Sequence, residues 1–174
     1  VILDLTVDAD AFLAGLAKKF RYTVRQSLRH EDVTVADETD LSRADFDALY
    51  AVYRETADRD GFGIYDADLY WAMIESLRPH ARVYVARRAG RVLAWTIITL
   101  YDGVGTYFYA AANAEARDLD ASVRLLWHAL DDLRAVMAGI PGVDVEVRVP
   151  EAGPPTGKAI QVRLSDTNPE GIDA

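Results

Sequence analysis

Residues 81 to 112 read Ala81-Arg-Val-Tyr-Val-Ala-Arg-Arg-Ala-Gly-Arg-Val-Leu-Ala-Trp-Thr-Ile-Ile-Thr-Leu-Tyr-Asp-Gly-Val-Gly-Thr-Tyr-Phe-Tyr-Ala-Ala-Ala112. Two turn dipeptides, Ala89-Gly90 and Asp102-Gly103, divide this run into three pieces rich in β-branched and aromatic residues. Ala81 to Arg88 alternates, with Val83 and Val85 on one face. Val92 to Tyr101 is almost wholly apolar, the composition of a central strand covered on both faces. Gly105 to Ala112 is the third piece, and strict alternation there puts Tyr107 and Tyr109 on one face. The run is expected to form an antiparallel three-stranded meander.

Working outward, Ser42 opens a helical pattern upstream, with Asp45 three residues on and Phe46, Leu49, Val52 and Tyr53 at helical spacing. Asp60-Gly-Phe-Gly breaks it. A further helix starts at Asp66 or Asp68, turns Leu69, Tyr70, Met73, Ile74 and Leu77 inward, and ends at Pro79. Before these lie a short strand at Val33-Thr-Val35, a helix over about Phe20 to Arg29 in which Tyr22, Val24 and Leu28 can pack, a helix capped by Asp8 or Asp10, and a strand at Val1 to Leu5. Downstream of the meander, Asp120 or Ser122 caps a helix with Val123, Leu126, Trp127, Leu130, Leu133 and Val136 at helical intervals. Gly139 and Pro141-Gly142 stop it, and Val143 to Val149 alternates as a strand.

The chain of 174 residues is 51% hydrophobic and 27% charged, the profile of one globular domain. No apolar run reaches the length of a membrane span. There is no cysteine, and His30, His80 and His128 stand in no ligand spacing, so no metal site is expected. The net charge of −9 argues against general coating of nucleic acid. Against it stands a basic stretch, Lys18, Lys19, Arg21, Arg25 and Arg29, whose arginines recur every four residues along one helix face. Such a stripe on an acidic chain is either a solvated face or a site for an anionic group.

Two helices, a three-stranded meander, a helix and one more strand is the element order of GNAT-type acyltransferases. The resemblance implies an α/β (α+β) chain with a mixed, mostly antiparallel sheet flanked by helices. It also implies a donor that enters where the strand before the long helix splays from the next. In that fold the turn into the helix follows Arg/Gln-x-x-Gly-x-Gly/Ala and gives backbone N–H groups to a pyrophosphate. Here the turn reads Arg117-Asp-Leu-Asp-Ala-Ser122, with Asp120 in place of the first glycine. A carboxylate at that point repels a pyrophosphate, which argues against acetyl-CoA as donor.

Several strings resemble the FemABX family of aminoacyl-tRNA-dependent peptidoglycan transferases, in particular their second GNAT-like domain. They are Val1-Ile-Leu-Asp-Leu5, Lys18-Lys-Phe-Arg-Tyr-Thr-Val-Arg25, Thr56-Ala-Asp-Arg-Asp-Gly-Phe62, Tyr70-Trp71, the pattern from Ala81 to Ala94, Tyr107-Phe-Tyr-Ala-Ala-Ala112, Arg117, and Leu125-Leu-Trp127. Ala110 and Ala112 stand where that family has Gly and Ser. The resemblance covers about residues 1 to 144. It implies transfer of an aminoacyl group from aminoacyl-tRNA, as a substrate and with no cofactor, to the amine of a muropeptide or lipid-linked peptidoglycan precursor. It further implies a cytoplasmic protein, with a peripheral place on the inner face of the membrane open to it. Lys19, Arg21, Arg25 and Arg29 would meet phosphate, Arg117 would stand at the cradle turn, and Tyr109 would line the donor channel or pack. Arg59 is expected to pair with a nearby acid. No catalytic nucleophile is assigned. The alternatives are an acyl-CoA-dependent N-acyltransferase and an inactive composite fragment.

The domain is expected to occupy residues 1–149 and to be cut short, with 150–174 an added tail of loop and one strand at Ile160 to Leu164. From Val145 to Leu164 the chain resembles a periplasmic segment of RND-type efflux transporters, which implies a join near Gly142 to Val145; the FemABX resemblance implies a first acyltransferase-like domain missing as partner. Gly153-Pro-Pro-Thr-Gly-Lys158 is not a phosphate loop: it has three residues between the glycines rather than four, and Ala159 follows the lysine.

Overall fold

A computed structural model of the chain describes residues 2–4, 7–101, 104–137 and 146–148. The elements are β1 (Ile2–Asp4), α1 (Ala9–Gly15), α2 (Lys18–Ser27), β2 (Val33–Asp37), α3 (Arg43–Asp60), α4 (Ala67–Leu77), a 3₁₀ turn (Arg78–His80), β3 (Ala81–Arg88), β4 (Arg91–Tyr101), β5 (Val104–Ala112), α5 (Ala114–Asp118), α6 (Ala121–Met137) and β6 (Glu146–Arg148). The turn at Asp102-Gly103, the helix stop at Gly139 to Gly142 and the tail from 149 onward, with its expected strand and transporter-like string, lie outside the described residues.

The six strands form one sheet in the order β1-β6-β5-β4-β3-β2. The meander is as the sequence requires: β3 pairs β4 and β4 pairs β5, both antiparallel. Ala89 and Gly90 take φ of 49° and 78°, the two positive values of a type I′ hairpin turn. Every residue from Val92 to Ile98 is buried, so β4 is covered on both faces. One pair, β5 with β6, is parallel.

Two cores follow from the pleat. One lies under α6 and joins Val33, Tyr84, Ala86, Leu93, Ala94 and Ile98 to Leu125, Leu130 and Leu133. The other lies under α3 and α4 and joins Val83, Val85, Trp95 and Ile97 to Phe46, Leu49, Tyr53, Tyr70 and Ile74. Helix α3 begins with the expected capping box: Ser42 accepts from the Asp45 N–H and the Asp45 carboxylate accepts from the Ser42 N–H. It ends at Gly61, whose φ of 74° supplies the left-handed cap. The buried indole of Trp95 donates to the Leu49 carbonyl at 2.8 Å and ties α3 to the sheet.

Three side chains expected to pack are exposed instead. Leu69 is on the open side of α4, and Tyr22 and Leu28 stand outside α2. Helix α2 packs against α6, and Val24 and Ser27 are its buried residues. No helix among the described residues is long and apolar enough to cross a membrane.

Candidate acyl-donor site

Strands β5 and β6 pair over three residues, from Val104 opposite Glu146 to Thr106 opposite Arg148. Among the described residues, no strand lies beside Tyr107 to Ala112 on that side. At the same place β5 bulges. Ile98 faces Tyr107 and Ile97 faces Tyr109, so Phe108 is the extra residue. The bulge shifts the pleat by one, and Tyr107 and Tyr109 turn to opposite faces. This corrects the sequence expectation that they share one. Tyr107 packs into the core under α6. Tyr109 enters the core under α3 and α4, edge-on to Tyr70 at 5.6 Å and to Tyr53 at 6.2 Å between ring centres. Burial pushes the hydroxyls of both Tyr109 and Tyr53 above the usual phenol range. They are neutral at pH 7.

The strand exits into a turn that is locally satisfied. Asn113 caps α5 by accepting from the Ala116 N–H at 2.9 Å, and its amide donates to the Val92 carbonyl at 3.0 Å. The extra helix α5 was not legible in the sequence, where Arg117 to Ser122 reads as one turn. Asp120 then opens α6 with φ of 49°. This is the left-handed backbone that a glycine would adopt, and Asp is among the few side chains that tolerate it. The positive φ also distinguishes it from an ordinary side-chain cap, which has extended backbone. Asp120 therefore takes a glycine-like backbone while carrying a carboxylate.

The six residues singled out by the sequence do not converge. Tyr109 is on the α3/α4 face of the sheet. The basic stripe rides on α2, which packs against α6 on the other face; there Arg124 donates to the Ser27 carbonyl at 3.1 Å. Arg21 folds back to the carbonyls of Ala14, at 3.0 Å, and Leu16, and so closes the end of α1. Lys19, Arg25 and Arg29 are exposed. Arg117 is exposed on α5. Its charge reaches Asp60, whose carboxyl is held below the usual range first by the Arg59 hydrogen bond and more distantly by Arg117. Arg59 pairs with Asp60 at 2.8 Å, as expected.

An open cleft of about 1000 Å³ lies at the β2 edge, far along the sheet order from β5, lined by Asp37, Glu38, Asp45, Arg78, Arg82 and Arg87. Its charges already answer one another: Arg87 forks Glu38 at 2.6 and 2.7 Å, and Arg78 meets Glu75 at 2.7 Å. It reads as an ion-pair network rather than as a substrate site.

The acetyltransferase (GNAT) domain family matches residues 17–146, and the chain belongs to it. No curated protein matches the sequence. Among solved structures the fold resembles that of FemX, with a TM-score of 0.72 and 12% identity over 90% of this chain and 54% of that one. It also resembles L-PGS from Bacillus licheniformis, with a TM-score of 0.57 and 17% identity over 84% of this chain and 42% of that one. A third likeness is to an aminoglycoside acetyltransferase from an uncultured soil metagenomic sample, with a TM-score of 0.53 and 12% identity over 79% of this chain and 97% of that one. The chain thus spans about half the length of FemX. These likenesses establish the acyltransferase fold.

Proposed function

We propose that the chain is the acyl-donor domain of an aminoacyltransferase, moving an aminoacyl group from aminoacyl-tRNA to an amine of a peptidoglycan precursor as part of a longer protein. The observation that carries this reading is Asp120. Asp120 stands immediately before the first residue of α6 with a left-handed φ of 49°, so a glycine-like backbone there carries a carboxylate. A diphosphate placed there would face like charge at close range, where a pair of unit charges is worth several kcal/mol at an effective dielectric of about 20. An aminoacyl ester needs no diphosphate beside its reacting carbonyl. The Fem-like strings and the fold likeness to FemX support the same choice.

In this reaction the acceptor nitrogen attacks the ester carbonyl. The new C–N bond forms, the bond from carbonyl carbon to ribose oxygen breaks, and a proton passes from the amine to the ribose oxygen. The ester is already activated, so the protein's part is orientation and stabilisation of the oxyanion. The neutral hydroxyls of Tyr53 and Tyr109 line one side of β5, and the exposed cations Lys19, Arg25, Arg29 and Arg117 are the candidates for phosphate. The test is a transfer assay with the complete protein, charged tRNA and a muropeptide acceptor. A new peptide-linked product is expected; acyl transfer from acetyl-CoA in its place would overturn the reading.

A further inference from the structure

We propose that Thr56 and Arg59 are positioning residues: from α3 they lock the peptide groups of Ala112, at the C-terminal end of β5, and so fix the strand along which the acyl donor lies. The proposal rests on a donor site along β5, which the aminoacyl and the coenzyme A readings share, so it holds for either donor.

The N–H of Asn113 donates to the Leu93 carbonyl at 2.9 Å. In an antiparallel ladder this marks Asn113 and Leu93 as a hydrogen-bonded pair, so the peptide groups of Ala112, one residue back, turn away from β4. They face the side of β5 away from β4. There the Thr56 hydroxyl oxygen accepts the Ala112 N–H at 3.2 Å. The Ala112 carbonyl accepts from Arg59 Nη1 at 2.8 Å and from the Thr56 hydroxyl at 3.1 Å. That hydroxyl shares its proton with the Val52 carbonyl at 2.9 Å. Asp60 holds the Arg59 fork from the other side, at 2.8 and 3.0 Å. Glu55 adds a third tie by accepting from the Ala114 N–H at 2.9 Å.

The spacing explains the string Thr56-Ala-Asp-Arg-Asp-Gly-Phe62. Positions three apart share a helix face, so Thr56 and Arg59 both reach β5, Asp60 orients the guanidinium, and Gly61 ends the helix with its left-handed φ. A buried threonine inside a helix is a poor choice on propensity alone, and valine has the same shape. The hydroxyl is there for the strand. Ala112 lies between the Phe108 bulge and the Asp120 turn, so one clamp steadies both ends of the donor site.

The test takes Thr56→Val, which removes the hydroxyl at matched shape, and Thr56→Ser, which keeps it. In the 174-residue chain, amide hydrogen exchange at Ala112 and Ala114 is expected to rise about tenfold in Thr56→Val, with Val83 and Ile97 in the sheet centre unchanged and Thr56→Ser like wild type. In transfer by the complete protein, the donor KM is expected to rise about tenfold in Thr56→Val with the acceptor KM unchanged, and Thr56→Ser is expected to restore it. A uniform rise in exchange across the sheet, or an unchanged donor KM in folded Thr56→Val, would overturn the clamp. Absence of transfer from either donor in the wild type would sink the proposed function alone; unchanged exchange at Ala112 would then overturn the clamp by itself.

Discussion

At the scale of single residues, two non-glycine positions among the described residues hold positive φ, Ala89 and Asp120, and they differ in purpose. Ala89 sits in a type I′ turn that asks for Asn or Gly, and nothing else at the turn requires an alanine methyl. Ala89→Asn is expected to raise the free energy of unfolding by about 1 kcal/mol, read from urea denaturation. Asp120 carries the donor argument. Asp120→Gly relieves about 1 kcal/mol of left-handed strain but loosens the unfolded chain by a comparable 0.4–1 kcal/mol, so the melting temperature is expected to move little. The same substitution removes the carboxylate from the helix start and is expected to let the chain take a diphosphate. Residue-scale reading of the sequence was good where a side chain speaks for itself. The exchange of Asp for the first glycine is visible in the string, and so is the Arg59–Asp60 pair. It failed at Phe108, because a bulge obeys no period: the pattern Tyr-Phe-Tyr looks like perfect alternation while the backbone inserts one residue between the faces. It also passed over Thr56, quoted only as part of a resemblance. The signal was present as a Thr and an Arg three apart just before a glycine stop.

At the scale of elements, the meander and the starts of α1 and α3 were legible because local chemistry sets them, whereas α4 starts at Asp66 without a side-chain cap and α2 starts two residues before Phe20. Ser42 with Asp45 specifies the α3 start, and Ser42→Ala is expected to cost about 1 kcal/mol by urea denaturation. The period of α6 marks Leu133, which is fully buried, as core. Leu133→Ala is expected to cost about 2–5 kcal/mol, the range for cavities left by a buried leucine. Element contacts were less legible than element types. Helix α2 carries more apolar residues than its seam with α6 can cover, so Tyr22 and Leu28 remain outside. Its basic stripe rides on the helix that packs against α6, with Arg21 spent on the end of α1. Sequence spacing fixes which residues share a helix face but not what that face meets. Helix α5 went unread because five residues give too little periodicity to separate a turn of helix from a loop.

At the scale of the whole molecule, the one parallel pair among the described residues joins β5 to β6, and the buried tyrosines set a pH limit on the fold. Tyr84 is fully buried and donates to Asp132 at 2.6 Å. Burial, with that bond, pushes its hydroxyl well above the ordinary 10.0, and burial does the same to Tyr53. A group whose acid form is favoured by folding contributes fully below its unfolded pKa and loses that contribution as pH rises beyond it. Stability is therefore expected to be level up to about pH 10 and to fall above it, since phenols titrate near that value when unfolded. Urea midpoints at pH 8, 9, 10 and 11 would show this, with a shallower fall in Tyr84→Phe. The identity of the donor is decided by thermal unfolding of the 174-residue chain with and without about 1 mM acetyl-CoA, a concentration that would add roughly 2.7 kcal/mol for a ligand with a Kd a hundredfold lower. No shift is expected for the wild type and a clear upward shift for Asp120→Gly. A rise of several degrees in the wild type would contradict the aminoacyl-tRNA reading and return the chain to the coenzyme A-dependent acyltransferases.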